Sequence, residues 1–224
     1  MQALLVAVVL MLQPSPASAP LPPPTGVLFV GNSLTCQNDL PAMVCLLARS
    51  VGCRLVCESV AWPDFGLEQH WQSGEARKAI ANGRWDLVVL QQGPSSLPES
   101  RRVLIDYTRR FDTEIKKAGA RTALYMVWPS RQRRGDAEAV SQSYRAEAKA
   151  VDATLLPVGD AWRAAWAIDR DLPLHAPDNF HPSGAGTCLA ALVLYRHLFG
   201  EPAPATPVLG GAMPHAELLQ RVAS

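Results

Sequence analysis

Short runs of apolar residues alternate along this chain with longer stretches in which apolar positions recur every three or four residues, a pattern that predicts β-strands separated by α-helices. The predicted strands lie at 26–31, 53–60, 85–91, 121–128 and 154–158; the helices lie near 39–51, 67–82, 98–118, 136–151, 160–169 and 183–199. Val27-Leu28-Phe29-Val30 has no polar position, as expected of a strand buried on both faces. Asp39 is placed to cap the first helix with Pro41 in its first turn, and Gly119 follows the third. Strands alternating with helices imply an α/β fold, a parallel sheet covered on both faces. Sites in such sheets lie beyond the carboxyl ends of the strands.

With 224 residues, 48% of them hydrophobic and 18% charged, the chain can bury one substantial core, placed here at residues 25–200. The net charge of +1, from 21 basic and 20 acidic residues, gives no electrostatic footprint for nucleic acid. Arg131-Gln132-Arg133-Arg134 is the one dense basic run and reads as a solvated loop.

Residues 3–12 are uninterrupted apolar, too short for a bilayer span of about 20 residues, and predict the centre of a signal peptide covering residues 1–19. Export to the periplasm or beyond the cell is therefore expected, with no integral membrane span after cleavage. Residues 20–24 read as a Pro-rich tether and residues 201–224 as a loose tail with one helical turn at 217–222. Export makes disulfides available to the five cysteines, of which at least one must stay unpaired in a monomer. Cys53 and Cys57, four apart on a predicted strand, would be separated by about 13 Å and should not pair with each other. No cysteine or histidine spacing suggests a metal site, and no cofactor is implied. The oligomeric state is open.

Gly31-Asn32-Ser33-Leu34-Thr35 puts a serine on a glycine-assisted turn where the first strand ends. Asp178-Asn179-Phe180-His181 puts a carboxylate three residues ahead of an imidazole, which is what a serine needs if its hydroxyl is to lose a proton as it attacks. Pro177 and Pro182 restrict the backbone around that pair. Gln91-Gln92-Gly93 also follows a strand end and can share the rim with Ser33.

With these residues on one rim, the chain resembles the SGNH hydrolase superfamily, the GDSL-type esterases and lipases, over roughly residues 25–200. Gly31-Asn32-Ser33-Leu34 is similar to the first block of that family and Asp178-x-x-His181 to the last. The resemblance implies a three-layer, flavodoxin-like sandwich with about five parallel strands. It also implies a serine ester hydrolase working through an acyl-enzyme, with Ser33, Asp178 and His181 as catalytic residues. The oxyanion would be held by the amides of Ser33 and Gly66 and by a side chain of the third block. That block normally supplies asparagine; here it reads Gln91-Gln92, so Gln91 is the expected donor and Gln92 its alternate. Asn32, His70 and Trp128 are candidates for substrate contact. The expected partner is a small-molecule or carbohydrate ester, a carbohydrate O-acetyl esterase being one form of this reading. The alternatives are a catalytically silent binding module of the same fold and an acyltransferase using the same residues.

Overall fold

The structure, a computed structural model, describes residues 23–204 and 215–224. The predicted signal peptide and most of the Pro-rich tether lie outside the described residues. Five strands form one parallel sheet: β1 (Gly26–Gly31), β2 (Val56–Ala61), β3 (Leu87–Leu90), β4 (Arg121–Tyr125) and β5 (Thr154–Leu156), in the order β2-β1-β3-β4-β5. The chain leaves β1 towards β2 and returns past it to β3. The carboxyl ends of β1 and β3 therefore flank the switch point at which such sheets bind ligands.

Strands β1, β3 and β4 are buried on two faces, and their side chains alternate between two cores, while the edge strand β2 is mostly exposed. Val27 and Phe29 of β1, Leu87 and Val89 of β3, and Ala123 and Tyr125 of β4 point to one core, and Leu28, Val30, Val88, Leu90 and Leu124 point to the other. The first core is closed by α2 (Leu40–Ser50), α7 (Val158–Ile168) and α8 (Gly184–Phe199). The second is closed by α3 (Leu67–Ser73), α4 (Glu75–Asn82), α5 (Pro98–Lys117) and α6 (Ala137–Ala150). A four-residue helix, α1 (Ser33–Cys36), begins directly behind β1. Asp39 caps α2, accepting from the Ala42 amide at 3.3 Å.

Two features depart from the expected elements. The helix expected over 67–82 is broken at Gly74, whose φ of +75° is left-handed backbone that glycine adopts without strain, so α3 and α4 are separate. The expected loose tail holds α9 (Ala216–Ala223), which packs on α7 and α8 with Leu219 fully buried. Leu218, Leu219 and Val222 give that helix an apolar face, and burying it against the first core outweighs the polar composition around it. Cys45 of α2 and Cys57 of β2 form a disulfide with a Cα–Cα distance of 6.3 Å, while Cys36, Cys53 and Cys188 are free thiols. Among the described residues no helix is long and apolar enough to cross a membrane.

Candidate active site

The turn that carries Ser33 is fixed from three directions. A side chain at Gly31 would collide with Thr35 Oγ1 and the Gln91 amide, so only glycine fits. Asn32 caps α1: its Oδ1 accepts from the Leu34 amide at 3.1 Å, and its Nδ2 donates to Phe65 O at 3.0 Å. Beneath the turn, fully buried Gln91 accepts with Oε1 from the Asn32 amide at 2.9 Å and from the Thr35 hydroxyl at 2.8 Å. His70, also fully buried, donates from Nε2 to Gly31 O at 2.7 Å. Burial holds its pKa below the ordinary histidine range, so it braces the strand end as a neutral ring.

Asp178 and His181 sit at the tip of a hairpin closed by Ser183 N–H to Leu174 O and Ala176 N–H to His181 O, each 2.8 Å. Asn179 turns the tip with φ +64°, a left-handed conformation that asparagine tolerates. Asp178 Oδ1 accepts the amides of Phe180 and His181 at 2.9 Å, and Oδ2 accepts from His181 Nδ1 at 2.7 Å. The Phe180 amide above all, with the His181 ring and amide, holds the Asp178 carboxyl down at about 2. With Nδ1–H given to the carboxylate, His181 Nε2 is an acceptor, and it lies 2.9 Å from Ser33 Oγ. Three side chains drawn from two segments 148 residues apart thus form one hydrogen-bonded chain.

The base of the hairpin is clamped by aromatic residues. Trp128, expected to contact substrate, is instead fully buried, stacked on Trp162 at 3.5 Å and donating from Nε1 to Phe180 O at 3.1 Å. His175 Nε2 donates to Pro129 O at 3.1 Å while its ring stacks on Trp166, and burial keeps it below the usual histidine range. The candidate His70 is corrected in the same way: it is fully buried against Gly31 O, so substrate cannot reach it. The Asn32 side chain binds backbone through both Oδ1 and Nδ2 and shapes the turn, while the residue itself lines the groove.

Gln91 is likewise excluded as an oxyanion donor. Its amide nitrogen donates to Gln92 O at 3.1 Å, its oxygen takes two further bonds, and none of it is exposed. The reason is register. Gln91 N–H still bonds Val30 O at 2.8 Å, so residue 91 continues the strand and points its side chain inward. Gln92 turns to the rim. Its Oε1 accepts from the Leu67 amide at 2.7 Å, which fixes the amide orientation and leaves Nε2 with no partner among the described residues, on a groove that Asn32 also lines. The Ser33 amide opens the first turn of α1 and has no acceptor within the helix. The Gly66 amide donates to Gln69 Oε1 at 2.9 Å. A side chain at Gly66 would meet the Gln92 amide at 2.9–3.0 Å, so glycine keeps that amide in place.

From Asn32, Gly66 and Gln92 an open groove of about 470 Å³ runs between the start of α3 and the first turns of α5. A larger hollow of about 950 Å³ lies elsewhere, against the outer strand β2 and Trp85, away from Ser33.

No family model and no curated protein sequence matches the chain. Solved structures do. A candidate SGNH hydrolase from Slackia heliotrinireducens is 28% identical, with a TM-score of 0.67 over 77% of this chain and 98% of that one. A DUF4886 family protein from Bacteroides uniformis is 19% identical, with a TM-score of 0.73 over 88% of this chain and 92% of its own. An acetyl xylan esterase is 13% identical, with a TM-score of 0.64 over 76% of this chain and 98% of its own. The last two likenesses concern the fold alone. By its sheet order, its helical layers and these neighbours, the chain is a protein of the SGNH hydrolase superfamily.

Proposed function

We propose that the protein is a serine ester hydrolase that works through an acyl-enzyme, with Ser33 as nucleophile, His181 as base and Asp178 as the group that orients the base. The observation that carries this reading is the hydrogen-bonded chain from Asp178 through His181 to Ser33 Oγ, with distances of 2.7 and 2.9 Å. Ser33 Oγ attacks the ester carbonyl carbon as His181 Nε2 takes its proton, and Asp178 stabilises the imidazolium that forms. The carbonyl oxygen becomes an oxyanion held by the Ser33 amide and Gln92 Nε2, with the Gly66 amide as a third donor when Gln69 releases it. The bond to the alcohol oxygen then breaks, and His181 returns the proton to that oxygen. Water repeats the sequence on the acyl-serine: His181 takes its proton, the acid leaves, and Ser33 is restored. No metal or cofactor enters any step.

Export belongs to the same proposal, supported by the apolar run at 3–12 and by the Cys45–Cys57 disulfide, a bond that persists in oxidising compartments. The hydrolase unit is taken as residues 25–200, with α9 as a packed extension of it.

The test is hydrolysis of 4-nitrophenyl acetate by the wild type, Ser33→Ala, His181→Ala and the double variant. Each single change should remove nearly all turnover and leave the melting temperature close to wild type, and the double variant should be no worse. Substantial turnover by Ser33→Ala would overturn the reading. A silent binding module would show no turnover in the wild type, and an acyltransferase would raise acetylated sugar when a sugar acceptor is added.

A further inference from the structure

The edge of the sheet formed by β2 is bare. Val56 N–H bonds Thr25 O at 2.8 Å and Trp62 N–H bonds Gly31 O at 3.2 Å, so alternate residues from Val56 onward face β1, and Leu55, Cys57 and Ser59 turn their N–H and C=O groups outward. No backbone group among the described residues takes those outward bonds. Along the same stretch the side chains of Arg54, Val56, Glu58 and Val60 fall on one face, where they line the hollow of about 950 Å³ between β2 and α4. Val56, 56% exposed, is the most exposed large apolar side chain among the described residues. It stands between Arg54 and Glu58, both exposed and both without a hydrogen-bond or ion-pair partner among the described residues.

Charged side chains usually keep an edge strand from pairing. Here the two charges are opposite in sign and symmetric about Val56, so they disfavour a general strand and fit a second copy of this one. A two-fold axis at Val56 sets Val56 against the partner's Val56, Arg54 against the partner's Glu58 and Glu58 against the partner's Arg54. These are the positions that exchange no backbone bonds, where facing side chains approach most closely. Leu55 and the partner's Cys57 then exchange N–H···O bonds in both directions, as do Cys57 and the partner's Leu55. An axis at Leu55 or Cys57 would put Val56 against a charge, and one at Glu58 would put two carboxylates together, so the side chains select a single register. The Cys45–Cys57 disulfide ties β2 to α2 and holds the edge in place before it pairs.

We propose that the outer edge of β2 is an interface for a second copy of this chain, the two strands running antiparallel about a two-fold axis at Val56 and joining the two five-stranded sheets into one. Ser33 follows the carboxyl end of β1, which runs parallel to β2, so the two active rims lie at opposite ends of the joined sheet and both stay open.

The experiment measures self-association by sedimentation equilibrium for the wild type, Arg54→Glu, Glu58→Arg, the double variant Arg54→Glu/Glu58→Arg and an equimolar mixture of the two single variants. The wild type should be a dimer. Arg54→Glu alone sets carboxylate against carboxylate, and Glu58→Arg alone sets guanidinium against guanidinium, each at two symmetric positions, so Kd should rise by at least about tenfold in either. The mixture restores opposite charges at both positions, as does the double variant, and both should regain the wild-type Kd to within about threefold. Both side chains are exposed, so the melting temperatures should stay close to wild type. A wild type that remains monomeric at about 100 μM, above the micromolar range where specific interfaces of ordinary size associate, would overturn the proposal. So would single variants that associate like the wild type, or a mixture and double variant that stay as weak as the single variants. Hydrolysis plays no part in these readouts, so their outcome is independent of the assignment of Ser33.

Discussion

Gln91 and Gln92 are adjacent and chemically identical, yet the proposed mechanism gives them opposite duties, and substituting each by alanine should separate a loss of stability from a loss of rate. Gln91→Ala removes an acceptor shared by the Asn32 amide and the fully buried Thr35 hydroxyl, and it empties the space under the turn. Leaving buried polar groups unpaired costs about 1–3 kcal/mol each, and a partial cavity adds to that, so a total of about 2–4 kcal/mol is expected. For a domain of this size each kcal/mol lowers Tm by about 2–4 °C, giving a fall of about 4–16 °C. Gln92→Ala leaves only the Leu67 amide unpaired, and because Gln92 itself lines the groove, removing its side chain opens a path for water to that amide. Its stability should change by less than about 1 kcal/mol. Its kcat should fall by about 10²–10³, the usual loss for one oxyanion donor, with KM nearly unchanged. Thermal melts and steady-state rates on 4-nitrophenyl acetate at a temperature well below both melting points read the two effects independently. The reasoning is refuted if Gln92→Ala keeps its kcat, or if Gln91→Ala melts like the wild type while losing turnover.

Two further outcomes follow from the hairpin that carries the base. Because the Asp178 carboxyl titrates at about 2, below the ordinary ~3.9, it contributes stability that is full above the unfolded value and is lost as pH falls through the folded one. The Tm difference between wild type and Asp178→Asn should therefore be constant above about pH 4 and vanish between about pH 4 and 2. A difference that does not depend on pH over that window would show that the carboxylate is not held by these amides. His175→Phe keeps a ring against Trp166, removes the bond to Pro129 O, and deletes a buried Nδ1 that has no partner, so Tm should hold or rise. If His175 positions the hairpin, kcat should still fall, by up to about 10²-fold with KM unchanged, because small misplacements of a reacting group are costly. Wild-type kcat in His175→Phe would leave the ring a packing role only.

The features legible in the sequence were those that depend on near neighbours along the chain. Strand and helix order followed from periodicity because burial on two faces leaves Val27 to Val30 and Leu87 to Leu90 without a polar position. Asp178 and His181 were legible as a pair because a separation of three residues lets one carboxylate cap the turn and reach the ring. Gly66 was expected to give its amide to the oxyanion, and that amide is engaged by Gln69, a bond that the spacing of three residues at a helix start would have suggested. What failed was the assignment of polar residues whose partners lie far away in sequence. Gln91 was expected to hold the oxyanion because the resemblance places it where the third block of the family normally supplies an asparagine. Its direction is decided instead by the bond from its own amide to Val30 O, which carries the β-register one residue beyond the last apolar position. His70, Trp128 and Asn32 were expected at the substrate because polar and aromatic groups near a rim are useful there. Trp128 and Asn32 are engaged by groups that the folded chain would otherwise leave unpaired at the hairpin and the turn, Phe180 O and the Phe65 O and Leu34 N–H pair, and His70 adds a second donor to Gly31 O, which also accepts from the Trp62 amide. A rim built from strand ends exposes many such backbone groups at once, and satisfying them takes polar side chains before any remain for chemistry. Gln92 Nε2 is the one side-chain amide N–H of this group left over, which is the physical reason to assign the oxyanion to it.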